Sequence, residues 1–295
     1  MKLVVSLSHI DQLDTILKSD AHIVVVPVEG LSHRVEKALT LEGLSEVITK
    51  VHQAHKALWL NMNKLMHQDD LERLDQWFQT LNFEAIEGLL FADLAVVGAA
   101  RKLNLETLMV YAPETYNTSL EDTEFWRKQG IHTLVLSREL LLEDLVEIAQ
   151  KAQANIGFFG HGYINIFHSR RPLIDHYFTF TEEADPESIK QARNLTLMEH
   201  QREEAFPIFE DHAGTHIFRA LPRASMNVFD RLIPVLDYFM IDTLMFDLKT
   251  TMQTIEDYAL ALKTKSSASI KDRYQENYDD GLYFKRTHPL RSGDE

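Results

Sequence analysis

Apolar residues fall along this chain in short runs of two kinds, and the two kinds alternate. KLVVSL (2–7), HIVVVPV (22–28), ALWLNMN (57–63), part of FEAIEGLLFA (83–92), ETLMVYA (106–112), HTLVLS (132–137) and NIGFFGH (155–161) are compact apolar stretches of strand length. Near-continuous apolar runs such as 22–28 are what strands buried on both faces require. Between these runs lie segments whose apolar positions recur at helical spacing, over 9–19, 41–55, 68–81, 93–103, 119–128 and 141–152. The helix over 68–81, QDDLERLDQWFQTL, also carries acidic residues in its first turn, where the helix dipole favours them. Seven strand–helix units within about 160 residues predict a parallel sheet with right-handed crossovers.

An α/β chain of this kind closes into a (β/α)8 barrel or stays open as a doubly wound sheet. No GxGxxG or GxxxxGK[ST] phosphate fingerprint is present. The units repeat every ~20–30 residues, and together these points favour a (β/α)8 TIM-type barrel. The rhythm then changes. GFFGHGYINIFHSRRPLIDHYF (157–178) reads as a strand that breaks at Gly160 and Gly162 and opens into a loop rich in His and Arg. LTLMEHQ (195–201), FPIFED (206–211) and THIFRA (215–220) predict a small antiparallel β insertion before the last unit. A helix over 228–236, a closing strand over 239–247 and a helix over 250–263 complete the pattern. The expected organisation is one barrel domain over 1–263, with the β insertion near 195–220, and a polar tail over 264–295 partly ordered on its body.

Composition narrows the function. The 295 residues are 45% hydrophobic, enough for a large core, and carry a net charge of −15. Such a surface repels phosphate backbones and anionic membranes, so autonomous nucleic-acid binding is disfavoured. There is no cysteine, which excludes disulfides, thiolate zinc sites and Cys-held iron–sulfur clusters in this chain. No run approaches the ~18 apolar residues of a membrane span, and MKLVVSLSHIDQL is too short in apolar residues for a signal peptide. A cytoplasmic protein with no membrane partner is expected.

Barrel active sites lie at the C-terminal ends of the strands. There this sequence places Glu29, Asn61, Asn63, Lys64, Asp93, Glu114, Asn117, Arg138, Glu139, His161, Asp247 and Lys249. Loops are polar in any protein, so this ring is weighed against plain solvation. Arg138, Glu139, His161 and Asp247 are the catalytic candidates. Arg34, Asn61, Lys64, Asn117, Arg138, His161, His168, Arg170, Arg171 and Lys249 are the ligand-binding candidates. Arg34, Arg138, Arg170 and Arg171 suit a carboxylate or phosphate. His161, His168 and His176, at spacings of seven and eight, share no helical face, and no bound metal is expected. His212 and His216 form HxxxH, but Gly214 interrupts and Ala213 stands where a zinc protease has Glu. G-x-S-x-G is absent, so serine hydrolysis is unsupported.

The ordered segments LNMNKLMHQDDLERL (60–74), FEAIEGLLFADLAVV (83–97), HTLVLSRELLLEDLVEI (132–148), FFGHGYINIFHSRRPLI (158–174), HAGTHIFRALP (212–222) and IDTLMFDLK (241–249) resemble the peptidase U32 family. GLYFKRT (281–287) resembles the GFLYK-type ending of some members. The chain departs from the family where two cysteines usually follow the HG of 161–162, since YINIFHSRRPLI stands there. It departs again at Met245–Lys249, where K-I-E-G-R is usual, and at Pro113-Glu114, which replaces a Ser/Thr-Gln pattern before the matching Asn117. The resemblance implies one of two activities: collagenase-like peptidase, or hydroxylation of RNA bases or ubiquinone precursors, often with a Cys-held iron–sulfur cluster. It also implies a division of labour in which a short member without cysteines pairs with a longer Cys-bearing paralogue to form 5-hydroxyuridine at the tRNA wobble position. This chain resembles the short type. A subunit of that system, reaching tRNA through the complex, is therefore expected, with no cluster of its own and a prephenate-like anion as candidate ligand. A peptidase and a non-catalytic anion-binding barrel are the alternatives.

Overall fold

The computed structural model describes residues 1–182, 189, 195–198, 200 and 204–284. The seven apolar runs become β1 (Lys2–Ser6), β2 (Ile23–Pro27), β3 (Ala57–Met62), β4 (Gly88–Phe91), β5 (Met109–Tyr111), β6 (Thr133–Val135) and β7 (Asn155–Gly162). The helices between them are α1 (Leu13–Ile16), α2 (Leu44–Gln53), α3 (Leu71–Thr80), α4 (Leu94–Arg101), α5 (Leu120–Lys128) and α6 (Leu142–Lys151). Buried Leu44, Val47 and Val51 place one stripe of α2 on the sheet. The helix expected over 9–19 is only a 3-10 turn (Ile10–Gln12) and the single turn of α1, after which the Ser19 hydroxyl donates to the Ile16 carbonyl and accepts from the Ala21 amide. The helix expected over 228–236 likewise shortens to one turn, Phe229–Leu232, before Pro234.

The chain then leaves the barrel. β8 (Asn165–Ser169) leads into α7 (Leu173–Thr181), followed by β9 (Thr196–Met198), β10 (Ala205–Asp211) and β11 (Gly214–Phe218). These strands form a separate antiparallel sheet in the order β8-β11-β10-β9. The insertion was expected near 195–220, and the sheet is larger. The stretch expected as an open loop supplies one of its strands and a helix. Of the predicted strand 195–201, Glu199 and Gln201 lie outside the described residues. β12 (Arg223–Ala224) returns to the barrel by pairing antiparallel with the end of β7. After α8 (Phe229–Leu232), β13 (Tyr238–Asp242) lies parallel between β7 and β1, with Lys2 opposite Tyr238. The eight parallel strands close as β1-β2-β3-β4-β5-β6-β7-β13, and α9 (Leu248–Thr264) follows. This is a (β/α)8 TIM barrel with a β insertion before its last unit.

Two apolar layers hold the barrel. Val4, Ile23, Val25, Trp59, Leu90, Val110, Val135 and Met240 fill its interior, and a larger shell packs between strands and helices. Gly88 is required by the inner layer, since a Cβ there would lie 2.5 Å from the Trp59 indole. Gly160 does not break β7 as its type suggested. The strand runs through it, and a Cβ there would meet the Phe239 ring at 2.0 Å. Residues 270–283 of the tail lie on the barrel, with Tyr274 and Tyr283 buried; the tail from 285 onward, with the rest of GLYFKRT, lies outside the described residues.

Candidate functional site

The C-terminal ends of the strands enclose a small polar cavity of about 20 Å³ between Asn61, Asn63, Arg34, Glu114, Arg138 and Asp242. That is room for one or two water-sized groups. The backbone around it is unusual. Arg34, Glu114, Asn117 and Met245 all adopt left-handed φ, between 58° and 71°, in the loops after β2, β5 and β13. Each such residue costs roughly 1–3 kcal/mol unless its surroundings hold it, and such outliers concentrate at functional sites. The other four non-glycine residues of positive φ, among them Lys265, lie at or just past helix ends, where this conformation is the ordinary terminator.

The charges interlock. Arg34 forks the Glu114 carboxylate, with Nη1 donating to Oε2 at 2.7 Å and Nη2 to Oε1. Arg138 Nη2 stands 4.0 Å from Glu114 Oε1 and 3.9 Å from Asp242 Oδ2. Its guanidinium lies 4.2 Å over the Phe159 ring. Burial opposes the charge on Glu114, but Arg34, Arg138 and the neighbouring hydrogen bonds outweigh it and hold the carboxyl well below its ordinary range. Nε and Nη2 of Arg138 are buried without a hydrogen-bond partner. A buried guanidinium so placed presents two N–H donors to an incoming anion.

Beside the cavity a groove of about 280 Å³ runs between the barrel mouth and the insertion sheet. His33, Arg34, Asn63 and Glu114 line both. Leu65, Tyr116, Ile166 and Phe167 line the groove and are each more than 40% exposed. His33 is buried, and burial, with Arg34 adding to it, pushes its pKa down to about 4, so it is neutral at pH 7.

The structure brings some of the sequence candidates together and separates others. Arg34, Asn61 and Arg138 line the cavity, and His168 and exposed Glu139 line the groove. Lys64 is paired with Asp70 beneath the mouth. Asn117 donates to the Val135 carbonyl at 3.1 Å and so holds the end of β6. His161 is boxed by Phe246, Tyr258, Tyr274 and Tyr278, and burial pushes its pKa down to about 3. Asp247 caps α9 through the Thr250 amide, and Lys249 is exposed beside it. Arg170 reaches Asp69 on the surface at 3.2 Å, and Arg171 is exposed. His33 and Asp242 carried no signal in sequence beyond their places after β2 and at the end of β13. Glu114 was visible only as one polar rim residue among many.

The family model described as peptidase family U32 matches residues 8–293. The chain belongs to peptidase family U32. It is 29% identical over 68% of its length to tRNA hydroxylation protein P2 of Bacillus subtilis. It is 23% identical over 84% of its length to an uncharacterized protease of Methanocaldococcus jannaschii, and 20% identical over 48% to tRNA hydroxylation protein P1 of Bacillus subtilis. The matches span 66%, 64% and 33% of those proteins' own lengths. After His161 and Gly162, Asn165 to Ser169 form a strand. Among the described residues, no helix is long and apolar enough to cross a membrane.

Proposed function

We propose that this chain is a cysteine-free subunit of a tRNA wobble-uridine hydroxylation system and works with a longer, Cys-bearing U32 paralogue. The observation that carries this reading is the similarity to tRNA hydroxylation protein P2 in a chain with no cysteine to hold a cluster. The site chemistry supports it. The groove, of about 280 Å³, has room for a base-sized group, and exposed Tyr116 and Phe167 offer ring faces on which an unstacked base can rest. A prephenate-like dicarboxylate would place one carboxylate against the free N–H groups of Arg138 and leave its body in the groove. The net charge of −15 makes tRNA binding by this chain alone unfavourable, so the partner supplies the basic surface. A peptidase has weaker support, since among the described residues no serine or threonine hydroxyl is hydrogen-bonded to a histidine.

Nucleoside mass spectrometry of bulk tRNA from cells with and without the gene tests the reading. Loss of 5-hydroxyuridine-derived nucleosides is expected, as is co-purification with the longer paralogue when both are expressed. An unchanged profile in cells that lack any second short member would overturn it. For the anion, a dicarboxylate should raise the melting temperature of the wild type and leave that of Arg138→Ala unchanged.

A further inference from the structure

Three histidines from distant parts of the chain meet where the insertion sheet covers the barrel. His33 follows β2, His168 lies on β8, and His216 lies on β11 directly opposite His168 in register. His168 and His216 stack with ring centroids 4.6 Å apart, and His33 meets both edge-on at 5.7 and 5.6 Å. Each offers one ring nitrogen, and the three nitrogens lie within 4.8 Å of one another. Zinc held by three imidazoles needs nitrogens about 3.4 Å apart at Zn–N distances near 2.0–2.1 Å. Metal binding would therefore draw the three rings closer together than they stand in the structure.

Each ring is prepared as a ligand. Nε2 of His216 donates to Asp211 Oδ1 at 3.3 Å, which leaves Nδ1 as the lone-pair nitrogen. That Nδ1 is buried and has no partner. Nε2 of His168 donates to the Ala213 carbonyl at 3.2 Å, which likewise frees Nδ1. Both nitrogens of His33 are buried without a hydrogen bond. The carbonyl behind His168 and the carboxylate behind His216 form the arrangement that orients metal-binding histidines and raises their basicity, and the nearest carboxylate to His33 is Glu114, 3.6 Å from its Nε2. The local charge also permits a cation. Arg34 and Arg138 face Glu114, Asp242 and Asp211, so the carboxylates exceed the guanidiniums by one. His33 and His168 both line the groove, so a bound ion would keep a coordination position open toward it, as in three-ligand catalytic sites.

We propose that His33, His168 and His216 form a binding site for one divalent first-row transition-metal ion, zinc or iron being suited to imidazole donors. The site pins the insertion sheet to the barrel and presents the metal to the groove. It does not rest on the hydroxylation reading.

The test is titration of the chelator-treated full chain with Zn²⁺ and with Co²⁺, followed by calorimetry, cobalt absorption and thermal melting. One equivalent per chain is expected, with a cobalt spectrum of low-coordinate, nitrogen-bound type and a raised melting temperature. His168 is only partly buried, so His168→Gln should fold with a wild-type circular dichroism spectrum while binding at least ~100-fold more weakly. His212→Gln, on the exposed turn between β10 and β11, should bind as the wild type does. A wild-type chain that takes up no equivalent of either ion overturns the proposal, as does binding that survives His168→Gln unchanged.

Discussion

Glu114 is the residue on which the barrel mouth depends most. It holds a left-handed backbone conformation and answers two buried guanidiniums with one carboxylate. Removing one partner of a buried pair leaves the other charge uncompensated, at a cost of about 3–5 kcal/mol. Glu114→Gln keeps the shape and removes the charge, so it should lower stability by about that amount in urea titration. The exposed pair Arg231–Glu143 has good geometry, with bonds of 2.8 and 2.9 Å, yet water screens it. Glu143→Gln should therefore match the wild type within error. Equal losses in the two variants would mean that the Glu114 network is solvated like a surface pair. Arg34 and Arg138 were legible as candidates because basic residues after barrel strands are conspicuous. Their common partner was not, because nothing in one sequence says which of a dozen rim side chains meet.

At the scale of elements, the apolar runs marked the barrel strands well, since burial on both faces leaves a run that no amphipathic helix imitates. The insertion sheet was harder to see. Asn165–Ser169 is partly exposed, with its apolar Ile166 and Phe167 the most exposed of its residues, and it lies between Gly162 and Pro172, residues that normally punctuate loops. What makes it a strand is its pairing with β11, 46 to 53 residues later. Gly214 permits that pairing. It has φ +118°, and a Cβ there would stand 2.1 Å from the Ser169 carbonyl oxygen and 2.6 Å from the Arg170 Cα, both backbone atoms. Gly214→Ala should cost more than ~1 kcal/mol. Hydrogen exchange should quicken in β8, β10 and β11 while the barrel amides stay protected. Because the register sets His168 against His216, the same variant should weaken Zn²⁺ binding. Gly98, on the exposed side of α4 with no atom within 4 Å of an added Cβ, is the contrast: Gly98→Ala should stabilise by about 0.5–1 kcal/mol. Exchange that rises equally in barrel and insertion would show that the two open together.

For the whole molecule, closure brings the first and last barrel strands together across more than 230 residues, with Lys2 opposite Tyr238, and the tail then locks the closing region. Strand count and spacing made the barrel readable in sequence. The lock was not readable, because the tyrosines of a polar tail look like surface residues until the barrel gives them a surface to cover. His161 sits under that cover. Its rings of contact come from the loop after β13, from α9 and from the tail; the titratable groups facing it are the phenols of Tyr258, Tyr274 and Tyr278, which burial raises. Desolvation alone pushes the His161 pKa down to about 3, against about 6.5 in the unfolded chain. Between these values the unfolded state binds a proton that the folded state refuses, so stability from this group falls as pH drops below ~6.5, by up to ~1.4 kcal/mol per pH unit, and rises again with pH. His161→Leu removes the titration and keeps an apolar side chain in the box. Between pH 7 and pH 5, urea unfolding of the wild type should lose about 2 kcal/mol more than the variant does. Parallel pH profiles would mean that water reaches His161 in the folded protein, and that the tail lies on the barrel without sealing it.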